Sequence, residues 1–480
     1  MEKITFLIPP SLDGKNILDR VAGCSYTVYN VPNIFVLISL AALREKGFTV
    51  VYEDFSINKK NKEDFIDFLK NDASDLYIFY TVNLSMKIDL KAVDIIKNIR
   101  ADVPIIFFGP SPTFWPEKFL KDESIYVVRG EPEITICELA TAIKIRRDIS
   151  GVAGVSYYKT GVIINNDPRP LIKDLDSLPF ASRDLLDRDR YFNPKLRRRP
   201  FTTIFTSRGC SYRCIFCVPT SLNFAIELEY KKYFNKKPPV RLRSAESAIK
   251  EFKLLRQQGY KAVSIWDDLF VWGKNRTIEI CRGIKDLGLI WGCQSRADHL
   301  NEDIVREMAK AGCKYIDIGV ESFCQEILDY VKKDIKTETL QEAIKIIKKY
   351  NISAKVNVIF GVCPLETKDT INQTQKIIRQ LNIDQVMYNI CTPFPGTELY
   401  DIAKKEGWFI KGEYEPSDVA KKAIITLPHL TNKELEVLVK KANFSFFLDP
   451  KFIAKNLFKT GFFRLNNLKD TIKALMRKLT

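Results

Sequence analysis

Two series of short apolar runs, each run followed by a helical pattern, constrain this chain more than any other feature. In the first series the runs are ITFLIP (4–9), TVVYED (49–54), LYIFYT (76–81), IIFFG (105–109) and IYVVRG (125–130). They are largely continuous rather than alternating, which predicts strands covered on both faces. Helical patterns lie between them, such as 34–46, stopped by Gly47 at a C-cap position. The sum is a doubly wound α/β domain of about five parallel strands. A polar, Pro-containing connector follows at 150–200 and opens as a hairpin around Lys159–Gly161. The second series has the strands TTIFTS (202–207), AVSIWD (262–267), LIWGCQ (289–294), YIDIGV (315–320), KVNVIF (355–360) and QVMYNI (385–390). Helical patterns such as TETLQEAIKIIKKY (337–350) separate these, so a partial (β/α)6 barrel is expected. The expected boundaries are an α/β domain at 1–145, a linker at 146–198, a barrel at 199–415 and a helical, basic C-terminal region at 416–480.

Size and charge agree with this organisation. At 480 residues, 46% of them apolar, the chain can bury more than one core. No apolar run approaches the roughly 18 residues that span a bilayer. MEKITFLIPP at the start reads as a strand and not as a secretion signal, so a cytoplasmic protein is expected. Net charge is +16, with basic clusters at 195–200, 230–243 and the C-terminus. Such a balance fits nucleic acid or anionic membranes, or a solvated lysine-rich surface, and the last is the default. From 451 to 480 eight Lys/Arg accompany one acid, with Phe452, Leu457, Phe458, Phe462 and Phe463 between them. That stretch fits an interfacial amphipathic segment, or a helix pair packed on the barrel with a solvated outer face.

In open α/β sheets and in barrels alike, ligands meet the carboxyl ends of the strands. GPSPTFWP (109–116) and RGEPE (129–133) follow two strands of the first series, and each taken alone also reads as turn chemistry. TSRGCSYRCIFCVPT (206–220) follows the first barrel strand and carries Cys210, Cys214 and Cys217 spaced C-x3-C-x2-C. The other eight of the eleven cysteines, at 24, 137, 281, 293, 313, 324, 363 and 391, are scattered singly, unlike a secreted disulfide framework. A structural zinc site wants four ligands, but the chain has two histidines, His299 and His429, and no second C-x2-C. Three buried thiols with no ligand are the plain alternative. An iron–sulfur cluster suits three thiolates better and leaves one iron open.

With Phe216 before the third cysteine, the loop resembles that of the radical S-adenosylmethionine (SAM) superfamily. WDDLF (266–270), QSRAD (294–298), IGVES (318–322), VIFGVCPLET (358–367) and TPFPGTELY (392–400) are similar to segments of the radical SAM enzymes that carry an N-terminal cobalamin-binding domain. The N-terminal loops and the segment 168–192 resemble the same group, so the likeness covers about residues 1–440. It implies a Rossmann-like, cobalamin-binding type domain ahead of a TIM-like radical SAM barrel. It implies a [4Fe–4S] cluster on Cys210, Cys214 and Cys217, with SAM chelating the open iron. By the same resemblance Phe216, Asp267, Asp268, Arg296, Glu321 and Ser322 serve SAM. Asp267 and Asp268 would lie near its amino group, Arg296 would face its carboxylate, and Glu321 and Ser322 would reach the ribose. Taken singly, Asp267–Asp268 also fits a helix cap, Arg296–Asp298 a local salt bridge and Glu321 a cap. Gly109, Pro110, Ser111, Gly130 and Glu131 would meet cobalamin. The D-x-H-x-x-G motif of many cobalamin domains is absent, because the first histidine in the chain is His299. The domain would then bind cobalamin without a histidine beneath the cobalt, or serve as a scaffold.

The expectation is a cobalamin-dependent radical SAM C-methyltransferase acting on an unactivated carbon of a lipid, isoprenoid or other secondary metabolite. It would be reduced by an external donor such as flavodoxin or ferredoxin, and peripheral membrane contact through the C-terminus is the accompanying expectation. Alternatives are a radical SAM cyclase, C–C coupling or oxidative enzyme without methyl transfer, a corrinoid sensor and a tRNA-modifying enzyme. The tRNA reading lacks the strand-and-turn pattern of a C-terminal RNA-binding barrel, and nucleic acid is not an expected partner.

Overall fold

The computed structural model of the protein describes residues 2–12, 20–21 and 29–450. The basic, aromatic stretch 451–480 and Cys24 lie outside the described residues. The chain divides into two compact units, Met1–Ser211 with Val218–Asp268, and Tyr212–Cys217 with Leu269–Thr480.

The first unit contains a seven-stranded sheet. Its strands are β1 (Lys3–Ile8), β2 (Thr49–Asp54), β3 (Leu76–Tyr80), β4 (Ile105–Phe108), β5 (Ile125–Val128), β6 (Val155–Lys159) and β7 (Val162–Asn165). The order is β2-β1-β3-β4-β5-β6-β7. The first five strands are parallel, and the hairpin β6–β7 adds two antiparallel strands beside β5. The hairpin read at the start of the connector is therefore part of this sheet. Strand alternation explains the continuous apolar runs. Ile4, Phe6, Ile78, Tyr80, Ile106 and Phe108 build one core, and Leu7, Tyr77, Phe79, Ile105 and Phe107 build another. Chain order reverses between β1 and β3, which makes the carboxyl ends of those strands the crevice where such sheets take ligands. Asn33 caps the helix Ile34–Glu45 by accepting from the N–H groups of Phe35 and Val36, and Gly47, with φ +81°, follows its C-cap.

The six remaining long strands are β8 (Phe201–Ile204), β11 (Ala262–Ile265), β12 (Ile290–Ser295), β13 (Cys313–Glu321), β14 (Ser353–Phe360) and β15 (Gln385–Ile390). They form a sheet of order β15-β14-β13-β12-β11-β8, as a partial barrel requires. A small pair that the periodicity does not show, β9 (Ser207–Arg208) and β10 (Arg241–Leu242), runs antiparallel with Arg241 opposite Arg208. On β14 the residues Ala354, Val356, Val358 and Phe360 are buried, while Ser353, Lys355, Asn357 and Ile359 are half-buried. That alternation marks a covered outer face and an open lumen. Among the described residues no helix is long and apolar enough to cross a membrane. The last described helix is Asn432–Phe447, closed at its start by a reciprocal cap between Thr431 and Glu434.

Candidate active site

The cysteine loop is shared between the units, with Cys210 in the first and Cys214 and Cys217 in the second. These three thiols are half-buried, whereas the other seven described cysteines are buried, and none of the ten is in a disulfide. Among the described cysteines, only the three clustered thiols are accessible to a large inorganic group.

In the first unit, Asp267 lies two residues past β11 and is fully buried. Its Oδ1 accepts from the N–H groups of Thr206 (2.5 Å) and Ser207 (3.0 Å), and its Oδ2 from the Thr206 hydroxyl (2.6 Å). The residue expected beside SAM instead clamps the exit of β8. Asp268, the next residue, is half-buried and accepts from Thr220 N–H (2.8 Å) and Asn223 Nδ2 (2.7 Å). Burial raises its carboxyl to about 6, against the pull of the Thr220 N–H. Beside it, Asn223 Oδ1 and Trp266 Nε1 are buried without a partner among the described residues. Asn223 Oδ1, on the side chain that donates to Asp268, is thus an acceptor open to a ligand. The helix Ser221–Phe234 then begins, buried from Ser221 to Glu229. The Tyr80 hydroxyl donates to Ser221 Oγ at 2.5 Å, and the short helix Pro110–Phe114 packs on the same helix.

The two loops expected at cobalamin end β4 and β5. Gly109 has φ +112°, and a Cβ there would come 2.7 Å from the Thr81 carbonyl oxygen, so only glycine makes this turn. Pro110 opens the short helix, and Ser111 donates to Asn83 Oδ1 at 2.6 Å. Gly130 has φ +66° and lies against Glu229, where a Cβ would meet that side chain at 3.1 Å. Glu131 departs from the expectation. Its carboxylate accepts from Arg208, from Arg241 and from Ile172 N–H, which leaves it no face for a corrin.

In the second unit, Ile215 donates its N–H to Val331 O (3.1 Å) and accepts from Leu399 N–H (2.9 Å). Ile215 is buried with Val362, Cys363 and Cys391, and half-buried Phe216 packs on the same core. Arg296 does not stand free. Its Nε and Nη2 donate to Asp298 at 3.0 Å each, and Nη2 also to Lys333 O at 2.9 Å. Its guanidinium stacks on the Tyr212 ring at 3.5 Å from the centroid. The local salt bridge is real, and among the described residues Nη1 carries no hydrogen bond, leaving one edge for an anion. His299 Nδ1 lies 2.6 Å from Val271 O, which only accepts, so Nδ1 donates. Nε2 is then the acceptor for the Tyr212 hydroxyl at 2.5 Å. Glu321 has φ +63°, an uncommon conformation for a residue with a side chain, and pairs with Lys333 at 2.7 Å. Burial opposes the charge on Lys333, but Glu321 and Cys214 outweigh it and hold its pKa above the ordinary lysine value. Ser322 is buried, accepts from Cys324 N–H at 3.1 Å and lies 3.2 Å from Thr374 Oγ1. These contacts fix the hydroxyl at the strand end.

Sequence reading missed Tyr212, His299, Lys333 and Asn223. Tyr212 sits between two of the clustered cysteines and His299 is one of two histidines, which was the available signal. Lys333 and Asn223 carry no local pattern.

The donor set suits the expected groups. Among the described residues no group of three His, Cys, Asp or Glu side chains is placed to hold a single metal ion. A cubane spreads its thiolates over separate irons, so they need not converge on one point. For cobalamin, the strand-order reversal and the glycine turn at Gly109 fit, and a protein histidine beneath the cobalt is excluded for the N-terminal domain because it contains none.

Comparison with known proteins agrees. The family model for the radical SAM superfamily matches residues 204–378, and that for the B12 binding domain matches 22–140. An uncharacterized methyltransferase of Pyrococcus horikoshii is 31% identical over 481 residues, covering 99% of this chain and 98% of the relative. The anaerobic magnesium-protoporphyrin IX monomethyl ester cyclase of Rubrivivax gelatinosus is 24% identical over 383 residues, covering 77% of this chain and 66% of that protein. Among solved structures, the cobalamin-dependent S-adenosylmethionine radical enzyme OxsB, with aqua-cobalamin and S-adenosylmethionine bound, superposes with a TM-score of 0.71 at 16% identity, over 99% of this chain and 72% of that one. This last likeness establishes the fold. Family models for both domains and a full-length relative at that identity lead to one conclusion: the chain is an enzyme of the radical SAM superfamily that carries a B12-binding domain, with a [4Fe–4S] cluster, SAM and cobalamin as its cofactors.

Proposed function

We propose that this protein is a cobalamin-dependent radical SAM methyltransferase that places a methyl group on an unactivated carbon. The observation that carries the reading is the set of three accessible thiols in one loop, in a chain matched end to end by a relative named as a methyltransferase. When bound, the cofactors supply an electron, a 5′-deoxyadenosyl radical and a methyl carrier. The chain's own contribution is to bind, orient and exclude water. Cys210, Cys214 and Cys217 hold the cluster. Asp268 and Asn223 Oδ1 are acceptors suited to the ammonium of SAM. Asp267 fixes the strand end from which the loop departs. Arg296 offers Nη1 to the SAM carboxylate while its other edge is held by Asp298, a fork geometry lysine cannot copy. Phe216 packs beneath the loop, and the Glu321–Lys333 pair lines the lumen beside Cys214. Gly109, Pro110, Ser111 and Gly130 form the corrin-facing turns.

The substrate class we assign is a lipid, isoprenoid or other secondary metabolite, supported by the basic, phenylalanine-rich stretch 451–480. Flavodoxin or ferredoxin is the class of electron donor. Liposome co-sedimentation of the full chain against a chain ending at Pro450 tests the membrane part, and equal binding would count against it. The likeness to the protoporphyrin ester cyclase favours a second reading, radical chemistry without methyl transfer. One experiment separates the two. The anaerobically reconstituted enzyme, incubated with extract of its source cells and SAM carrying a deuterated methyl group, yields a labelled product if the proposal holds. A product without label would leave only the second reading.

A further inference from the structure

Two loops far apart in the sequence are joined by buried charge in the first unit. Arg208, two residues before Cys210, is fully buried. Its Nη1 donates to Glu131 Oε1 at 2.6 Å and to Glu133 Oε2 at 3.2 Å, and its Nη2 donates to Glu133 Oε1 at 2.5 Å. Glu131 directly follows Gly130 in the loop after β5. Its carboxylate also accepts from Arg241 Nη1 at 2.8 and 2.7 Å and from Ile172 N–H at 2.8 Å. The β9–β10 register sets Arg208 opposite Arg241, so two cations and two anions share one buried site. Burial opposes ionisation of Glu131, but Arg208 and Arg241 hold its pKa below the ordinary value. A buried ion network tolerates one geometry, because removing a member leaves an unpaired buried charge.

The consequence is mechanical. The backbone that leads into Cys210 is tied through Arg208 to the loop that follows Gly130. Neither can shift without breaking a fork of charge-assisted hydrogen bonds. We propose that Arg208 is a positioning residue that couples the two cofactor loops, so that cobalamin at the carboxyl end of the N-terminal sheet and SAM at the cysteine loop bind with linked affinities. The inference rests on the assignment of those two loops to cobalamin and to the cluster. Lysine at 208 keeps the charge and loses the fork. An internal control exists. Arg183 is also buried, donates to Glu251 Oε1 at 2.6 Å, to Thr203 O at 2.7 Å and to Thr202 Oγ1 at 3.1 Å, and bonds to neither loop.

The test is equilibrium dialysis of the full, anaerobically reconstituted protein with radiolabelled SAM, with and without hydroxocobalamin, iron and cobalamin being counted in each sample. In the wild type, hydroxocobalamin changes the SAM Kd by about fivefold or more, the usual scale of coupling between sites. In Arg208→Lys the ratio falls to within about twofold of unity, whereas Arg183→Lys keeps the wild-type ratio at a similar loss of thermal midpoint. If Arg208→Lys does not load its cluster, Glu133→Gln, which spares the Glu131–Arg241 pair, is judged by the same criterion. Retained coupling in the 208 or 133 variant, lost coupling in Arg183→Lys, or a wild-type ratio of one overturns the inference. A wild type that binds no cobalamin overturns both the inference and the assignment beneath it.

Discussion

Glu366 should be a carboxylic acid, not a carboxylate, at neutral pH, and replacing it with glutamine should stabilise the protein. It is buried in the turn after β14, where one oxygen, Oε2, accepts from the N–H groups of Gly361 and Val362. Burial pushes its pKa from 4.5 up to about 8, and the two N–H groups only partly oppose the rise. The folded-state pKa therefore lies above the unfolded one. The folded chain keeps a proton that the unfolded chain releases, so this contribution to stability is whole below pH 4.5 and falls as pH rises to about 8. Each pKa unit is about 1.4 kcal/mol, which makes the penalty at most about 5 kcal/mol above pH 8 and about 3 kcal/mol at pH 7. Glutamine has the shape of the protonated acid, with a carbonyl for the two N–H donors and no charge to release. Glu366→Gln should match the wild type near pH 5 and exceed it increasingly toward pH 8. Calorimetric thermal midpoints of both proteins across that range give the answer. A variant less stable than the wild type at pH 8, or a difference that does not change with pH, would refute the reasoning.

Three further outcomes follow from the site. Serine at Cys210, Cys214 or Cys217 should each remove most of the bound iron, while serine at the buried Cys293 should leave it, as iron and sulfide analysis after anaerobic reconstitution will show. Gly319→Ala would set a Cβ 2.5 Å from Glu321 Oε1 and 2.8 Å from Lys333 Nζ. It should lower stability by about 1–3 kcal/mol and weaken SAM binding, read by calorimetry and dialysis. With Asp268 at about 6, SAM affinity should decline as pH falls below that value because the acceptor gains a proton. Asp268→Asn should flatten the pH profile, and a profile equally steep in the variant would remove Asp268 from the SAM site.

The sequence was informative wherever function and fold reside in a short stretch. The C-x3-C-x2-C loop spans only Cys210 to Cys217 and can be read locally, and the doubly covered strands announce themselves by unbroken apolar runs. It was uninformative where the partner lies far along the chain. Asp267 and Asp268 are adjacent and chemically identical, yet in the turn after β11 one enters a closed set of hydrogen bonds at Thr206 and the other stays half-buried against Thr220 and Asn223. Nothing in WDDLF says which is which. Glu131 looks like a free acid in a ligand loop, but its partner Arg208 is 77 residues away, and no local period reports such a pair. The same limit misled the reading of charge. The cluster 230–243 looks like surface basicity in a chain of net charge +16. Arg241 and Arg243 within it are buried and answered by Glu131 and Glu251. Because a buried charge survives only when paired, these arginines belong to the interior of the first unit and contribute little to any field felt by an anionic partner. The basic residues counted in 230–243 therefore overstate the basic surface there, although the net charge, which already subtracts their glutamate partners, does not change. Arg241 within that cluster belongs to the buried network that ties the cysteine loop to the corrin loop.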